Sequence, residues 1–275
     1  MNGIPNVLTI AGFDGSAGAG LQADMKTISV FGGYAHTVLT ALPIQNTCGV
    51  RQVYDVALTA IEQQLAAVFD DARIDAIKVG MLFNRDVIEV VAGFLRQHAQ
   101  GIPLVLDPVM VSTSGHALLD SAAVDSLIHE MFPLATLVTP NIPEAEALSG
   151  AVITSPEEML QAGQQLYQQH QTAILLKGGH FPGEMMEDIL CLADHSVWLR
   201  AKKVATQNAH GTGCTLSSAI AVNLASGKNL EQACRIGKAY LSQALRHADK
   251  LQVGKGRGPV HHFFALSPYG KTEDE

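Results

Sequence analysis

Residues 7–31, VLTIAGFDGSAGAGLQADMKTISVF, open on a β-branched apolar run, cross a loop holding Gly12, Gly15, Gly18 and Gly20, and continue with helical apolar spacing. A strand over Val7 to Ala11 that is apolar at nearly every position is buried on both faces, which happens where helices cover both sides of a sheet. The same unit recurs outward from this stretch. Short runs predict strands at Thr37 to Ala41, Ala76 to Val79, Leu104 to Leu106, Leu137 to Thr139 and Ala173 to Leu176. Amphipathic spacing predicts helices at Leu21 to Phe31, Ala60 to Ala72, Arg85 to His98, Ala122 to Met131, Glu157 to His170, Thr215 to Ala225 and Leu230 to His247. Ser155-Pro156-Glu157-Glu158 is a helix start with an N-cap serine, a proline in the first turn and early acids. The expectation is an α/β fold, a mostly parallel central sheet with helices on both faces. No repeat, linker or composition break divides the chain, so residues 1–265 are read as one domain and 266–275 as a flexible tail.

Composition narrows the function. The 275 residues carry 18 basic and 26 acidic side chains, a formal net charge of −8, with 47% hydrophobic and 16% charged residues. That balance excludes disorder and argues against a nucleic-acid surface, as does the lack of any lysine–arginine block. No apolar run approaches the ~20 residues of a membrane span. The first residues show neither a basic leader nor a cleavage site, so the expected setting is soluble and cytoplasmic, without a membrane or nucleic-acid partner. Cys48, Cys191, Cys214 and Cys234 form no CxxC pair and sit at no zinc spacing.

In open α/β sheets, ligands bind beyond the carboxyl ends of the strands. The residues that follow each predicted strand are the polar ones: the first glycine loop, then Gln45-Asn46, Gly80-Met81, Asp107-Pro108, Asn141 to Glu144, and Lys177-Gly178-Gly179. The first loop matches neither GxGxxG nor the Walker pattern, and both a tight turn and a ligand cradle fit it. Asp24 lies one turn into the next helix, where a carboxylate either accepts hydrogen bonds from a ligand or complements the helix dipole. The strongest local feature is Asn208-Ala209-His210-Gly211-Thr212-Gly213-Cys214-Thr215-Leu216, running straight into an apolar helix. Two glycines allow close approach, a helix start binds anions, and a cysteine there has its thiolate favoured by the same partial charge. Against this stands a buried structural cysteine after a glycine turn. Asn141 and Glu144, three apart at a helix start, can face one crevice, with Glu144 as a magnesium ligand or a plain dipole acid. Lys177 is a candidate phosphate contact and Asp107 a second metal-side acid. His210 is the histidine closest to this chemistry, while His261 and His262 carry no ligand spacing.

Taken together, eight ordered segments carry a resemblance: TIAGFDGSAGAGLQADMKT, TALPIQNTCGV, KVGML, LDPVM, TPNIPEAE, LLKGGH, HGTGCTLSSAIA and VGKGRGPVHHF. The chain resembles the hydroxymethylpyrimidine/phosphomethylpyrimidine kinases of the ribokinase-like superfamily, over nearly its whole length. The resemblance implies an ATP-dependent, magnesium-assisted kinase of thiamine biosynthesis that acts on the pyrimidine alcohol and then on its monophosphate, as a homodimer. It implies that Gly12, Asp24, Gln45 and Met81 bind the pyrimidine and that Gly211, Thr212 and Gly213 form the anion hole. It further implies that Cys214 stands where sugar kinases have an aspartate base, that Asn141 and Lys177 bind ATP, and that Glu144 and Asp107 lie on the metal side.

Two departures bear on this. Thr113 stands where many relatives have lysine, and no cysteine lies near Val111, as it does in the cysteine-type pyridoxal kinases. A pyridoxal kinase of the same superfamily is the alternative reading. A thiol enzyme built on Cys214 would want a resolving cysteine or an adjacent base, and neither is near in sequence. A non-catalytic pyrimidine-binding regulator would have little use for Cys214, Glu144, Asn141 and Lys177 together.

Overall fold

A computed structural model of the chain describes residues 3–110, 121–179, 181 and 183–266. Strand β1 (Asn6–Ala11) lies inside an eight-stranded sheet between β2 (Tyr34–Leu39) and β5 (Ala76–Val79). Beyond β5 follow β6 (Leu104–Leu106), β7 (Leu137–Val138) and β8 (Ala173–Lys177), every neighbour from β2 to β8 pairing in parallel. Two antiparallel strands, β9 (Met185–Cys191) and β10 (Ser196–Lys202), close that edge. A separate antiparallel pair, β3 (Ala41–Asn46) and β4 (Gly49–Asp55), projects from the main sheet.

The period of two along each strand splits the core into two layers. Leu8 and Ile10 of β1, Ile77 and Val79 of β5, and Ile174 and Leu176 of β8 face one apolar layer. There they meet α2 (Leu58–Asp71), α3 (Arg85–His98), α5 (Ile142–Ser149) and α6 (Pro156–His170). The intervening Val7, Ala76 and Leu175 face the other layer, made with α1 (Gly20–Val30), α7 (Thr212–Ala225) and α8 (Leu230–Arg246). Thr9 and Lys78 are directly paired across β1 and β5 and share the register of Val7 and Ala76. Their side chains therefore enter the α1–α7 layer, which otherwise is apolar.

The helix predicted at Ala122 to Met131 divides into α4 (Ser121–Ser126) and a π-helical turn over Leu127–Met131. The predicted strand Thr37 to Ala41 is two elements meeting at Thr40. Its N–H donates to Ala11 O at 3.0 Å and its Oγ1 to Met81 O at 2.6 Å, so the chain turns a corner there. Four strands, β3, β4, β9 and β10, escape the apolar-run criterion. β4 is exposed at Arg51, Gln52, Tyr54 and Asp55, and β9 and β10 carry Glu187, Asp188 and Arg200 in an edge that is antiparallel. Ser155 caps α6 as its sequence suggests, its Oγ accepting from Glu158 N at 3.2 Å.

Candidate active site

The carboxyl ends of β1, β5, β6 and β8 open into a cavity of about 690 Å³, where Gly12, Met81, Asp107, Lys177 and the start of α7 meet. Gly211 occupies the N-cap position of α7 with φ of 78°, and no side chain caps this helix. A Cβ at Gly211 would stand 1.8 Å from Gly18 O, so only glycine permits the approach of the two loops. A Cβ at Gly213 would stand 3.0 Å from Asp107 Oδ2 and 3.3 Å from Lys177 Nζ. The uncapped first turn of α7 thus lies directly against Asp107 and Lys177 at the cavity wall, and its amides attract an anion for the reason any helix start does.

Lys177, the last residue of β8, donates to Asp107 Oδ1 at 2.9 Å, and Thr139 Oγ1 donates to the same oxygen at 3.1 Å. Burial would lower the pKa of Lys177, but Asp107 and Glu144 beside it hold it above its ordinary value. Asn141 and Glu144 both line the cavity and form a reciprocal cap on α5. Asn141 Oδ1 accepts from Glu144 N at 2.9 Å, and Glu144 Oε2 accepts from Asn141 N at 2.8 Å. The helix-cap reading holds, and the cap places the Glu144 carboxyl at the cavity wall. Burial and the nearby Asp107 push the Glu144 carboxyl up, with Lys177 pulling the other way. Among the described residues no three His, Cys, Asp or Glu side chains are grouped to hold a metal. Two hard carboxylates, one of them raised by burial, suit magnesium held mainly by phosphate oxygens and water.

Cys214 lines the cavity, but its thiol is pushed up to about 11 by burial, with Lys78 opposing and Asp24 and Asp107 adding to the shift. The expectation that the helix start favours its thiolate is corrected: desolvation outweighs the dipole, and the side chain is a thiol at neutral pH. Asp24 also needs correction. It is fully buried and does not line the cavity. Its Oδ2 pairs with Lys78 Nζ at 2.8 Å and accepts from Thr9 Oγ1 at 2.5 Å, while Oδ1 accepts from Ser218 Oγ at 2.7 Å. Ser218 is one turn after Cys214 on α7, so this sealed ion pair lies beneath the cysteine. Burial would lower the pKa of Lys78, but Asp24, with Cys214 and Asp107 near, holds it above its ordinary value.

At the other end Gly12 and Met81 line the cavity, and a Cβ at Gly12 would stand 3.2 Å from Met81 Sδ. Gln45 lies at the rim on β3, its Nε2 3.5 Å from Phe13 O. The structure thus brings Gly12, Gln45, Met81, Asp107, Asn141, Glu144, Lys177, Gly211, Thr212, Gly213 and Cys214 around one space, and leaves Asp24 outside it. His210 reaches Asp14, and His262 is buried behind α7 with its Nε2 3.0 Å from Thr215 Oγ1. Thr113 and Val111 lie outside the described residues.

Sequence reasoning missed Lys78, Asp14 and Asp188. A lysine inside Ala76-Ile77-Lys78-Val79, a strand read as covered on both faces, is a charge that demands a partner; that signal was present. Asp188 lines the opposite end of the cavity with Lys203, Thr206 and Arg257, and pairs with Lys238 of α8 at 2.5 Å. It sits on β9, an element the apolar-run criterion could not find.

The phosphomethylpyrimidine kinase family matches residues 14–261. The chain is 47% identical over 257 residues to the hydroxymethylpyrimidine/phosphomethylpyrimidine kinase of Rhizobium meliloti (strain 1021), covering 93% of this chain and 96% of that protein. It is 46% identical over 261 residues to the thiamine biosynthesis multifunctional protein of Corynebacterium glutamicum, 94% of this chain against 34% of that longer one. Among solved structures, the pyridoxal kinase from Staphylococcus aureus in complex with AMP-PCP superposes with a TM-score of 0.87 at 30% identity, over 95% of this chain and 94% of that one.

Proposed function

The chain belongs to the phosphomethylpyrimidine kinase family, and from that premise we propose how its residues divide the reaction. It is a ribokinase-like phosphotransferase of thiamine biosynthesis that phosphorylates 4-amino-5-hydroxymethyl-2-methylpyrimidine and then the monophosphate, with ATP as donor. The observation that carries the assignment of roles is the uncapped start of α7 packed against Lys177 and Asp107 on one cavity wall, with Cys214 in the same turn.

The pyrimidine lies at the Gly12–Met81 end with Gln45 at its edge. Its hydroxymethyl oxygen attacks the γ-phosphorus in line, the bond from that phosphorus to the β,γ-bridging oxygen breaks, and ADP leaves. Amides of Gly211, Thr212 and Gly213 receive the charge of the phosphoryl group in flight, and Lys177 with Asn141 holds the phosphates of ATP. Cys214 polarises the hydroxyl and takes its proton through its small thiolate fraction. Asp107 and Glu144 are the side chains that would hold magnesium, which when bound neutralises phosphate charge. In the second step the acceptor is already a phosphate, so no base is needed.

This reading takes residues 1–265 as one catalytic unit; in the Corynebacterium protein nearly the whole chain corresponds to a third of the length. Leu42, Ile44 and Tyr54 are exposed on the projecting β3–β4 pair, and two strands alone are marginal in water, which supports a homodimer covering them. Four free cysteines suit a reducing compartment such as the cytoplasm.

The test is ADP release from magnesium-ATP with three acceptors in parallel: the pyrimidine alcohol, its monophosphate and pyridoxal. Turnover of both pyrimidines, well above pyridoxal, is expected. Turnover of pyridoxal alone would move the chain to the pyridoxal kinases.

A further inference from the structure

The first glycine loop is satisfied from within. Asp14 is 1% exposed, and its Oδ1 accepts from Ser16 N at 2.8 Å and Ser16 Oγ at 2.7 Å. Its Oδ2 accepts from Gly18 N at 3.0 Å, Ala19 N at 2.8 Å and His210 Nε2 at 2.8 Å. Burial works against the charge, yet the bonds from His210 and Ser16 hold the carboxyl well below the usual carboxylate range. Asp14 is therefore ionised, and Nε2 of His210 is the nitrogen that carries hydrogen. With the amides of Gly18 and Ala19 consumed by Asp14, this loop has no backbone donors there to offer a phosphate.

What the loop does have is a grip on the start of α7. His210 joins Asp14 across 196 residues of chain, and its ring packs so closely that a Cβ at Gly18 would stand 2.5 Å from Cδ2. The next residue, Gly211, rests on Gly18 O. From the far side His210 N donates to Gly258 O at 3.1 Å, and Gly258 N donates to Asn208 Oδ1 at 3.0 Å. Immediately after this clamped histidine come the uncapped amides that face Lys177.

We propose that Asp14 and His210 are positioning residues for phosphoryl transfer: the hydrogen bond between them fixes the start of α7 against the acceptor loop. The inference rests on the reading of Gly211–Gly213 as the anion hole. A loop free to shift by about 1 Å forfeits rate on the order of 100-fold, because the donors must meet the oxygens where charge develops. Both phosphorylations deliver to the same amides, so both depend on the latch. Cys214, by contrast, serves the first alone.

The experiment compares steady-state kinetics of His210→Ala, His210→Gln, His210→Asn and Gly213→Ala with magnesium-ATP on both pyrimidine acceptors. His210→Ala is expected to lose kcat about 10- to 100-fold on both acceptors, with each KM within about threefold. His210→Gln, whose amide reaches Asp14, is expected to recover most of that loss, and His210→Asn, too short to reach, is not. If His210→Ala fails to fold, the Gln and Asn variants carry the same comparison. Unchanged kcat in His210→Ala or His210→Asn, a loss confined to KM, or equal rates for Gln and Asn would each overturn the latch. Gly213→Ala separates the two layers of the argument. If it abolishes turnover while His210→Ala does not, only the latch fails; if it leaves both rates intact, the anion hole and the latch fail together.

Discussion

Two lysine–aspartate pairs of nearly equal length, Lys78–Asp24 at 2.8 Å and Lys177–Asp107 at 2.9 Å, stand on parallel strands of one sheet and end in different uses. Lys78 is the third of four residues in β5, and both of its pair's side chains are 0% exposed. Lys177 is the last residue of β8, and its pair is 16% and 3% exposed, toward the cavity. A lysine one position inside a strand is roofed by helices. A lysine at the carboxyl end opens where ligands bind. Position along the strand, more than the chemistry of the pair, separates a sealed charge from one that faces the cavity.

The comparison breaks if the two lysines can exchange consequences. Lys78→Met leaves Asp24 charged among Thr9, Ser218 and apolar neighbours, and removing one partner of a buried pair costs about 3–5 kcal/mol of stability. Chemical denaturation should show that loss directly. Lys177→Met leaves Asp107 held by Thr139 at the wall of a cavity that water enters, so its stability loss should be smaller than that of Lys78→Met. Its kcat should fall on the order of 100- to 1,000-fold on both acceptors, the usual cost of losing one electrostatic contact to the transferring group. Equal unfolding midpoints for the two variants would erase the distinction.

Cys214 sharpens it, because its thiol lies within reach of both pairs: Lys78 pulls its pKa down and Asp107 pushes it up. Cys214→Ala is expected to slow the first phosphorylation by about 100-fold and the second by far less, since only the alcohol has a proton to give up. The pH profile gives the same answer independently. With the thiol near 11, the thiolate fraction grows about tenfold per pH unit through neutrality. The first step should therefore accelerate with rising pH while the second stays flat, and parallel profiles would remove Cys214 from the role of base.

The same difference in placement explains how far the sequence could be read. Lys177, Asp107 and Asn141 were legible because each follows an apolar run, and the carboxyl end of a buried strand is a site by topology alone. Asp24 was legible as a residue that matters and not as what it contacts. Its partners, Thr9, Lys78 and Ser218, come from three elements whose mutual register no spacing reports. The parallel core of the sheet was readable from doubly buried strands, whereas β4, β9 and β10 were not, because exposed or edge strands dilute apolar residues with charge, and β3 is interrupted by Pro43 and ends in Gln45-Asn46. Cys214 shows the limit for chemistry: the helix dipole is visible in sequence, but the burial that overrides it is not.

The smallest test concerns a sealed group with no part in the reaction. His262 is buried against Thr215, with Lys26 and His261 as the charges facing it, and burial first and those two neighbours next lower its pKa from 6.5 to about 3. The unfolded chain thus binds a proton below pH 6.5 that the folded chain refuses until about 3. Stability is free of this cost above pH 6.5 and falls as pH drops through that window, by up to about 1.4 kcal/mol per unit. His262→Gln removes the titration and can still hydrogen-bond Thr215, so its acid unfolding limb should be flatter while turnover at pH 7.5 changes by less than about twofold. If the substitution moved the rate and left the acid limb alone, burial would have ceased to separate structural polar groups from working ones, and Lys78 would have to be re-examined with it.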